Sequence, residues 1–172
     1  YFDDLDFTLV DAPIFTANEC EGSSTLCKTP YFGEDAYLSQ SGQLYMEAAC
    51  EAFGRAYCFG PTFRAENSNT RRHLTEFWMV EPEVAYMDLE GDMELAEGLV
   101  QAIVRRVLEK CSSQLKILER DTKPLEAVIN GAFPRISYTE AVEIIREAGV
   151  DFNWGDDFGG TDETIVGSKF NQ

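Results

Sequence analysis

Residues 56–86 read AYCFGPTFRAENSNTRRHLTEFWMVEPEVAY. Two apolar-rich runs, 56–64 and 77–86, flank the polar stretch AENSNTRRHLT (65–75). This pattern predicts a long antiparallel hairpin with an arginine-bearing loop. Pro61 and Pro82 lack a donor for the ladder and are expected at bulges or edges. Strand periodicity of two puts Ala56, Cys58, Gly60, Thr62 and Arg64 on one face. Tyr57, Phe59, Pro61 and Phe63 fall on the other, bulky face, which is assigned to the core. On the second arm Phe77, Met79, Glu81 and Glu83 share a face opposite Trp78, Val80 and Val84. Pairing the small-residue face with Phe77 and Glu81 predicts an open sheet surface bearing an arginine, an aromatic ring and carboxylates.

Outward from the hairpin, residues 7–16 read as a short strand that ends at or just after Pro13, and 17–34 read as loop. AYLSQS (36–41) reads as a short strand. QLYMEAACEAFG (43–54) favours helix, with Gly54 as its stop. In 92–111, Leu95, Leu99, Ile103 and Val107 recur every fourth position. This predicts a helix capped by Asp92, whose broad apolar face suits packing on a sheet. YTEAVEIIREA (138–148) predicts another helix, capped by Ser137 or Thr139 and ended by Gly149. The acidic, glycine-bearing tail 151–172 reads as loop. The fold class expected is α+β, an antiparallel sheet with helices against one face.

The chain has 172 residues, 44% hydrophobic and 26% charged, which suits about one packed domain and excludes a disordered or fibrous chain. No run of 18 apolar residues is present, so no membrane partner is expected. The first residues, YFDDLDF, are acidic where a targeting segment is basic. The net charge of −17 argues against nonspecific nucleic-acid binding by the whole surface but leaves room for a local basic site. Cys20, Cys27, Cys50, Cys58 and Cys111 form no CxxC, and His73 is the only histidine. Neither a metal site nor a complete disulfide set is expected, and a cytoplasmic location with reduced thiols follows. Both ends of the sequence look abrupt, as in part of a larger protein.

The chemistry gathers on the hairpin. Arg64 offers a planar fork for a phosphate, and Arg71, Arg72 and His73 lie in the loop within reach of outer phosphates. Phe77 can stack on a base, and Glu66 can accept from an amino group or help hold a metal with a nucleotide. Local positive charge in an acidic surround suits a small polyanion. The same residues also serve plainer purposes: Arg71 and Arg72 as solvated loop residues, Phe77 as core, Arg64 as the partner of a surface carboxylate. Neither a P-loop nor GxGxxG occurs. The segment Ser39-Gln-Ser-Gly-Gln-Leu-Tyr45 places polar groups at a strand end and helix start, where its amides and hydroxyls, taken as exposed, can read a small polar substrate or simply cap a turn.

FGPTFRAENSNTRRHLTEFWMVEPE (59–83) resembles the second signature motif of the class II aminoacyl-tRNA synthetases, and within that class the asparaginyl-tRNA synthetases. TLVDAPIFT resembles the end of the first motif, with Pro13 as its proline; CEGSS and YLSQSGQLYMEA also resemble asparaginyl segments. The resemblance implies a ligase that uses ATP with Mg²⁺, makes asparaginyl adenylate and transfers asparagine to tRNA(Asn), working as a homodimer. It implies that Arg64 holds the α-phosphate, Phe77 stacks on adenine, Glu66 lies near the adenine, and Arg72 and His73 meet the outer phosphates. It further implies asparagine contacts from Glu21, Ser39, Gln43, Met46 and Glu81. Aspartyl relatives carry a lysine where Met46 stands, and a lysine there would have favoured them or an ammonia-dependent asparagine synthetase. Methionine at 46 and an acidic group at 81 favour an amide over a carboxylate.

By the same resemblance residues 1–172 are part of a catalytic domain, with the end of the first motif and all of the second. The third motif with its arginine and the anticodon-reading barrel have no counterpart in these residues, so the 172 residues alone are expected to be inactive or nearly so. A non-catalytic paralogue that binds ATP, an amino acid or a partner protein is the competing expectation.

Overall fold

A hairpin occupies the centre of the first part of the chain, as the alternation predicts. The computed structural model describes residues 1–20, 26–67 and 73–170. In chain order the first part contains β1 (Thr8–Leu9), β2 (Phe15–Thr16), β3 (Lys28–Tyr31), β4 (Glu34–Leu38), α1 (Gln43–Phe53), β5 (Arg55–Phe63) and β6 (Glu76–Val84). They form two three-stranded sheets, ordered β1-β5-β6 and β2-β4-β3. By its contacts the chain divides into two compact units, Tyr1–Asp92 and Met93–Gln172.

The β5–β6 ladder is antiparallel from Arg55↔Val84 to Phe63↔Glu76. Its prolines are tolerated for a geometric reason. The Tyr57 carbonyl accepts from Val10 N (2.9 Å), so Tyr57 faces away from β6. By alternation Phe59, Pro61 and Phe63 do the same, and Phe63 N donates to Ser39 O at 2.9 Å. Pro61 therefore turns its donorless nitrogen past the end of β1, which pairs only with Ala56 and Tyr57. Pro82 opposes Tyr57 on the edge strand β6, where no ladder bond is lost.

The expected strand over 7–16 splits at the stretch containing Pro13. Its first half, β1, pairs in parallel with β5, and its second half, β2, joins the other sheet beside β4. The architecture is thus α+β with one parallel pair in an otherwise antiparallel arrangement. The stretch read as loop contains β3, where Pro30 sits on an edge strand. The strand expected at 36–41 ends at Leu38, and Ser39 leaves the ladder to bridge the two sheets: its N–H donates to Ile14 O (2.8 Å) and its carbonyl accepts from Phe63 N. Helix α1 ends where Gly54 takes φ 75°, and Gly54 N donates to Cys50 O at 2.7 Å.

The assignment of hairpin faces to core and surface is reversed. The small-residue face is the covered one: Ala56, Cys58 and Thr62 are buried, and Met46 of α1 packs with Ala56 and Cys58. The bulky face is open, with Phe59 54% and Trp78 61% exposed and their rings in edge contact at 5.2 Å. Small side chains let a helix approach the sheet closely, and α1 takes that space.

The second unit is helical: α2 (Leu89–Lys110), whose first turn belongs to the first unit, α3 (Ser112–Ile117), α4 (Lys123–Asn130), α5 (Tyr138–Glu147) and α6 (Gly160–Lys169). Helix α2 starts three residues before the expected Asp92 because Asp88 accepts from Gly91 N at 2.9 Å. It carries no buried residue, against the expectation that its broad apolar face packs on a sheet. Ser137 caps α5 through a reciprocal pair with Glu140: the hydroxyl accepts from Glu140 N (3.2 Å) while the carboxylate accepts from Ser137 N (2.7 Å). Val142, Ile145 and Phe152 form the core of this unit, with Tyr138, Phe158 and Ile165 against it. The tail expected as loop contributes α6, whose entry is held by Gly159 N donating to Asp162 (2.8 Å).

Candidate active site

Register brings the site together. Cys58 pairs with Glu81, Gly60 with Met79 and Thr62 with Phe77, and Arg64 N donates to Thr75 O at 2.9 Å. Arg64, Phe77 and Glu81 therefore lie along one face of the hairpin, the face α1 covers at its Ala56–Cys58 end. Beyond the helix the face is open: a Cβ built at Gly60 meets nothing within 4 Å.

At the loop end of this face, the Arg64 guanidinium stands 5.9 Å from the Phe77 ring centre and donates through Nε to Gln40 O at 3.3 Å. A cation over an aromatic face is held in place without losing its charge. Glu66 is half-buried just past β5, and His73 is exposed at the far side of the loop. Arg71 and Arg72 fall outside the described residues, as does Glu21.

At the helix end, Glu81 meets the start of α1. Gly42 N donates to Glu81 Oε1 at 2.9 Å, and the Ser41 hydroxyl donates to Oε2. The Cys58 thiol approaches Oε1 at 3.6 Å. Burial, then the neighbouring Glu81 charge, pushes the Cys58 thiol up to about 12. Glu83, farther along β6, is also raised, by burial first and then by Glu47, Glu81 and Asp92. A cavity of roughly 220 Å³ opens beside Glu81 and Cys58, lined also by Pro13, Ile14 and Ser39.

The remaining candidates divide. Ser39 is buried, with its hydroxyl donating to Ser41 O (2.6 Å), so it shapes the turn leading into α1. Gln43 is exposed on the first turn; its Nε2 donates to Glu47 (3.3 Å) and its carbonyl oxygen faces the Cys20 thiol at 3.8 Å. Met46 is fully buried in the Ala56–Cys58 cluster. Its side chain packs against Cys58, which lines the cavity, and is not itself part of that lining. Gln40, read only as one of the exposed amides of segment 39–45, is instead 2% exposed, accepts from Cys20 N at 3.3 Å and holds Arg64 through its carbonyl. Gly42 was missed, although a glycine directly ahead of a helix is visible in SGQLYMEA.

The fold and this face define a class. Residues 1–168 match the family of class II tRNA synthetases (D, K and N), and the chain belongs to that family. The curated relatives it matches include the asparagine–tRNA ligase of Sorangium cellulosum, 61% identical over all of this chain, and that of Desulforamulus reducens, 57% identical over 99% of it. The chain spans about two-fifths of the length of these relatives, 41% and 39%. Among solved structures, the asparaginyl-tRNA synthetase of Pyrococcus horikoshii complexed with asparaginyl-adenylate superposes with a TM-score of 0.93 at 42% identity, covering 99% of this chain and 39% of that one. The likeness read from the motifs is thus to the same proteins that comparison finds over the whole chain.

Proposed function

We propose that this chain forms part of the catalytic domain of an asparagine–tRNA ligase, supplying the end of the first signature motif and the second. The third motif and the anticodon-reading barrel belong, in this reading, to residues outside these 172. The observation that carries it is the shared face of Arg64, Phe77 and Glu81, set by the β5–β6 register.

In the first step the asparagine carboxylate oxygen attacks the α-phosphorus of ATP. The new C–O–P bond forms as the bond to the β,γ-phosphates breaks, releasing pyrophosphate. The nucleophile is already an anion, so the protein's work is positioning and charge stabilisation. Arg64 neutralises charge developing on the α-phosphate while Phe77 stacks on adenine. Glu66 lies near the adenine, and Arg72 and His73 meet the outer phosphates. Glu81 accepts from the side-chain amide of asparagine and repels the carboxylate of aspartate; Glu21 and Gln43 take the α-amino end, and Ser39 shapes the wall. In the second step a hydroxyl at the 3′ end of tRNA(Asn) attacks the adenylate carbonyl and AMP leaves.

Among the described residues no group of three His, Cys, Asp or Glu stands ready for a metal ion. In this reading Mg²⁺ would be held with the nucleotide near Glu66, Arg72 and His73, where it would neutralise charge on the outer phosphates. No helix among the described residues is long and apolar enough to cross a membrane. The proposed enzyme works in the cytoplasm as a homodimer.

Amino-acid-dependent ATP–pyrophosphate exchange, measured on a protein carrying this chain at the length of its relatives, tests the proposal. Exchange with asparagine and not with aspartate is expected. Exchange driven by aspartate, or by neither, would overturn it.

A further inference from the structure

Glu81 has four places at which its two oxygens can accept. Oε1 is taken twice, by Gly42 N–H at 2.9 Å and by the Cys58 thiol at 3.6 Å. Oε2 receives the Ser41 hydroxyl. That hydroxyl has no freedom to turn elsewhere, because Ser41 Oγ itself accepts from Gln43 N at 3.0 Å, which directs its proton to Glu81. The Ser39 hydroxyl locks the same turn, donating to Ser41 O and accepting from Ser41 N.

We propose that Ser41, Gly42 and Cys58 are positioning residues for Glu81, leaving its carboxylate, among the described residues, a single open acceptor place, on Oε2, for one N–H of the substrate's side-chain amide. This rests on the reading of Glu81 given above. Asparagine's NH₂ group has the donor that place takes, whereas aspartate's carboxylate brings only acceptors to it.

Gly42 is required by space. Its φ of −83° suits any residue, but a Cβ there would stand 2.5 Å from Cys58 Sγ, 3.2 Å from Ala12 Cβ and 3.4 Å from Glu81 Oε1. Cys58 is 2% exposed and cannot swing aside, so any side chain at 42 displaces the thiol, the carboxylate or both. The thiol is pushed up to about 12 and keeps its proton at any pH at which the enzyme works.

A plainer role for Glu81 is to cap α1, since Gly42 is that helix's N-cap residue. The two are separated by kinetics in the whole enzyme. Ser41→Ala is expected to raise KM for asparagine about ten-fold, the loss of one hydrogen bond to a charged group. KM for ATP should stay within about two-fold, and the preference for asparagine over aspartate should fall. In a Glu81→Gln background the further effect of Ser41→Ala should shrink to less than about two-fold, since the two act as one unit. Gly42→Ala should resemble Ser41→Ala; if it does not fold, the Ser41 cycle still decides. Equal changes in both KM values, or full additivity with Glu81→Gln, would overturn the proposal in favour of capping alone. Wild-type enzyme without asparagine-dependent exchange would sink the function itself; wild-type exchange with Ser41→Ala unchanged would sink only this inference.

Discussion

The Arg64 guanidinium lies over the Phe77 ring, 5.9 Å from its centre, although the two residues stand on different strands. Thr62↔Phe77 is a ladder pair, and Arg64 lies two residues beyond Thr62, on the same face. The guanidinium contacts both the ring and the carbonyl of Gln40. Arg64→Ala is expected to lower pyrophosphate exchange by about 10²-fold or more in the whole enzyme, the scale of losing a preorganised charge stabiliser. Arg64→Lys should not restore it, because an ammonium lacks the planar fork. Near-normal exchange in either variant would remove Arg64 from the chemistry.

Replacing Glu81 by Gln keeps the size of the side chain and removes its charge. Asparagine use should weaken by about ten-fold or more, with ATP binding much less affected. Steady-state KM values for both substrates measure this, and equal effects on both would place Glu81 outside amino-acid selection.

Cys58 should be inert. With the thiol pushed up to about 12, the thiolate fraction at pH 8 is on the order of 10⁻⁴. Iodoacetamide followed by mass spectrometry should find Cys58 unmodified in the folded chain and modified in denaturant. Rapid labelling of the folded chain at pH 8 would show that the thiol is neither buried nor raised.

Glu83 carries a pH signature. Burial, and behind it Glu47, Glu81 and Asp92, hold its carboxyl above the ordinary carboxylate range. The folded chain then binds this proton more tightly than the unfolded chain. Its contribution is fully present below the unfolded value and is lost as pH rises through the folded value. Glu83→Gln is expected to raise the unfolding temperature at pH 7 by about 1–2 °C and to make no difference near pH 3. Thermal melts at the two pH values check this; a lower melting temperature at pH 7 would contradict it.

Ser137 and Glu140 close the first turn of α5 reciprocally. The backbone N–H of Ser137, and after it the hydroxyl, holds the Glu140 carboxyl below its ordinary range. That contribution is present above the unfolded value and is lost as pH falls through the folded one. Ser137→Ala should cost about 1 kcal/mol at neutral pH, and chemical denaturation of the two proteins measures it. An unchanged midpoint would mean that the cap adds nothing to α5.

The hairpin was legible because its information is local. Alternation over 56–64 and 77–86 is enough to align two strands, and parity then puts Arg64, Phe77 and Glu81 on one face. Helices α1 and α5 were legible for the same reason: Gly54 and Ser137 are end signals written beside the helices they bound. The break at Pro13 was harder to read. Both halves of 7–16 are extended, and which sheet each half joins depends on partners at β5 and β4.

By itself the sequence determined the hairpin with the parity of its residues, helices α1 and α5, and the motifs that align the chain with its family. Only the tertiary structure decided which hairpin face is covered, because that depends on whether small side chains admit a helix, and α1 packs on Ala56 and Cys58. It alone also decided what holds Glu81. Gly42 lies 39 residues from Glu81 and Cys58 lies 23 away, and no local pattern shows that three donors from two distant segments meet on one carboxylate.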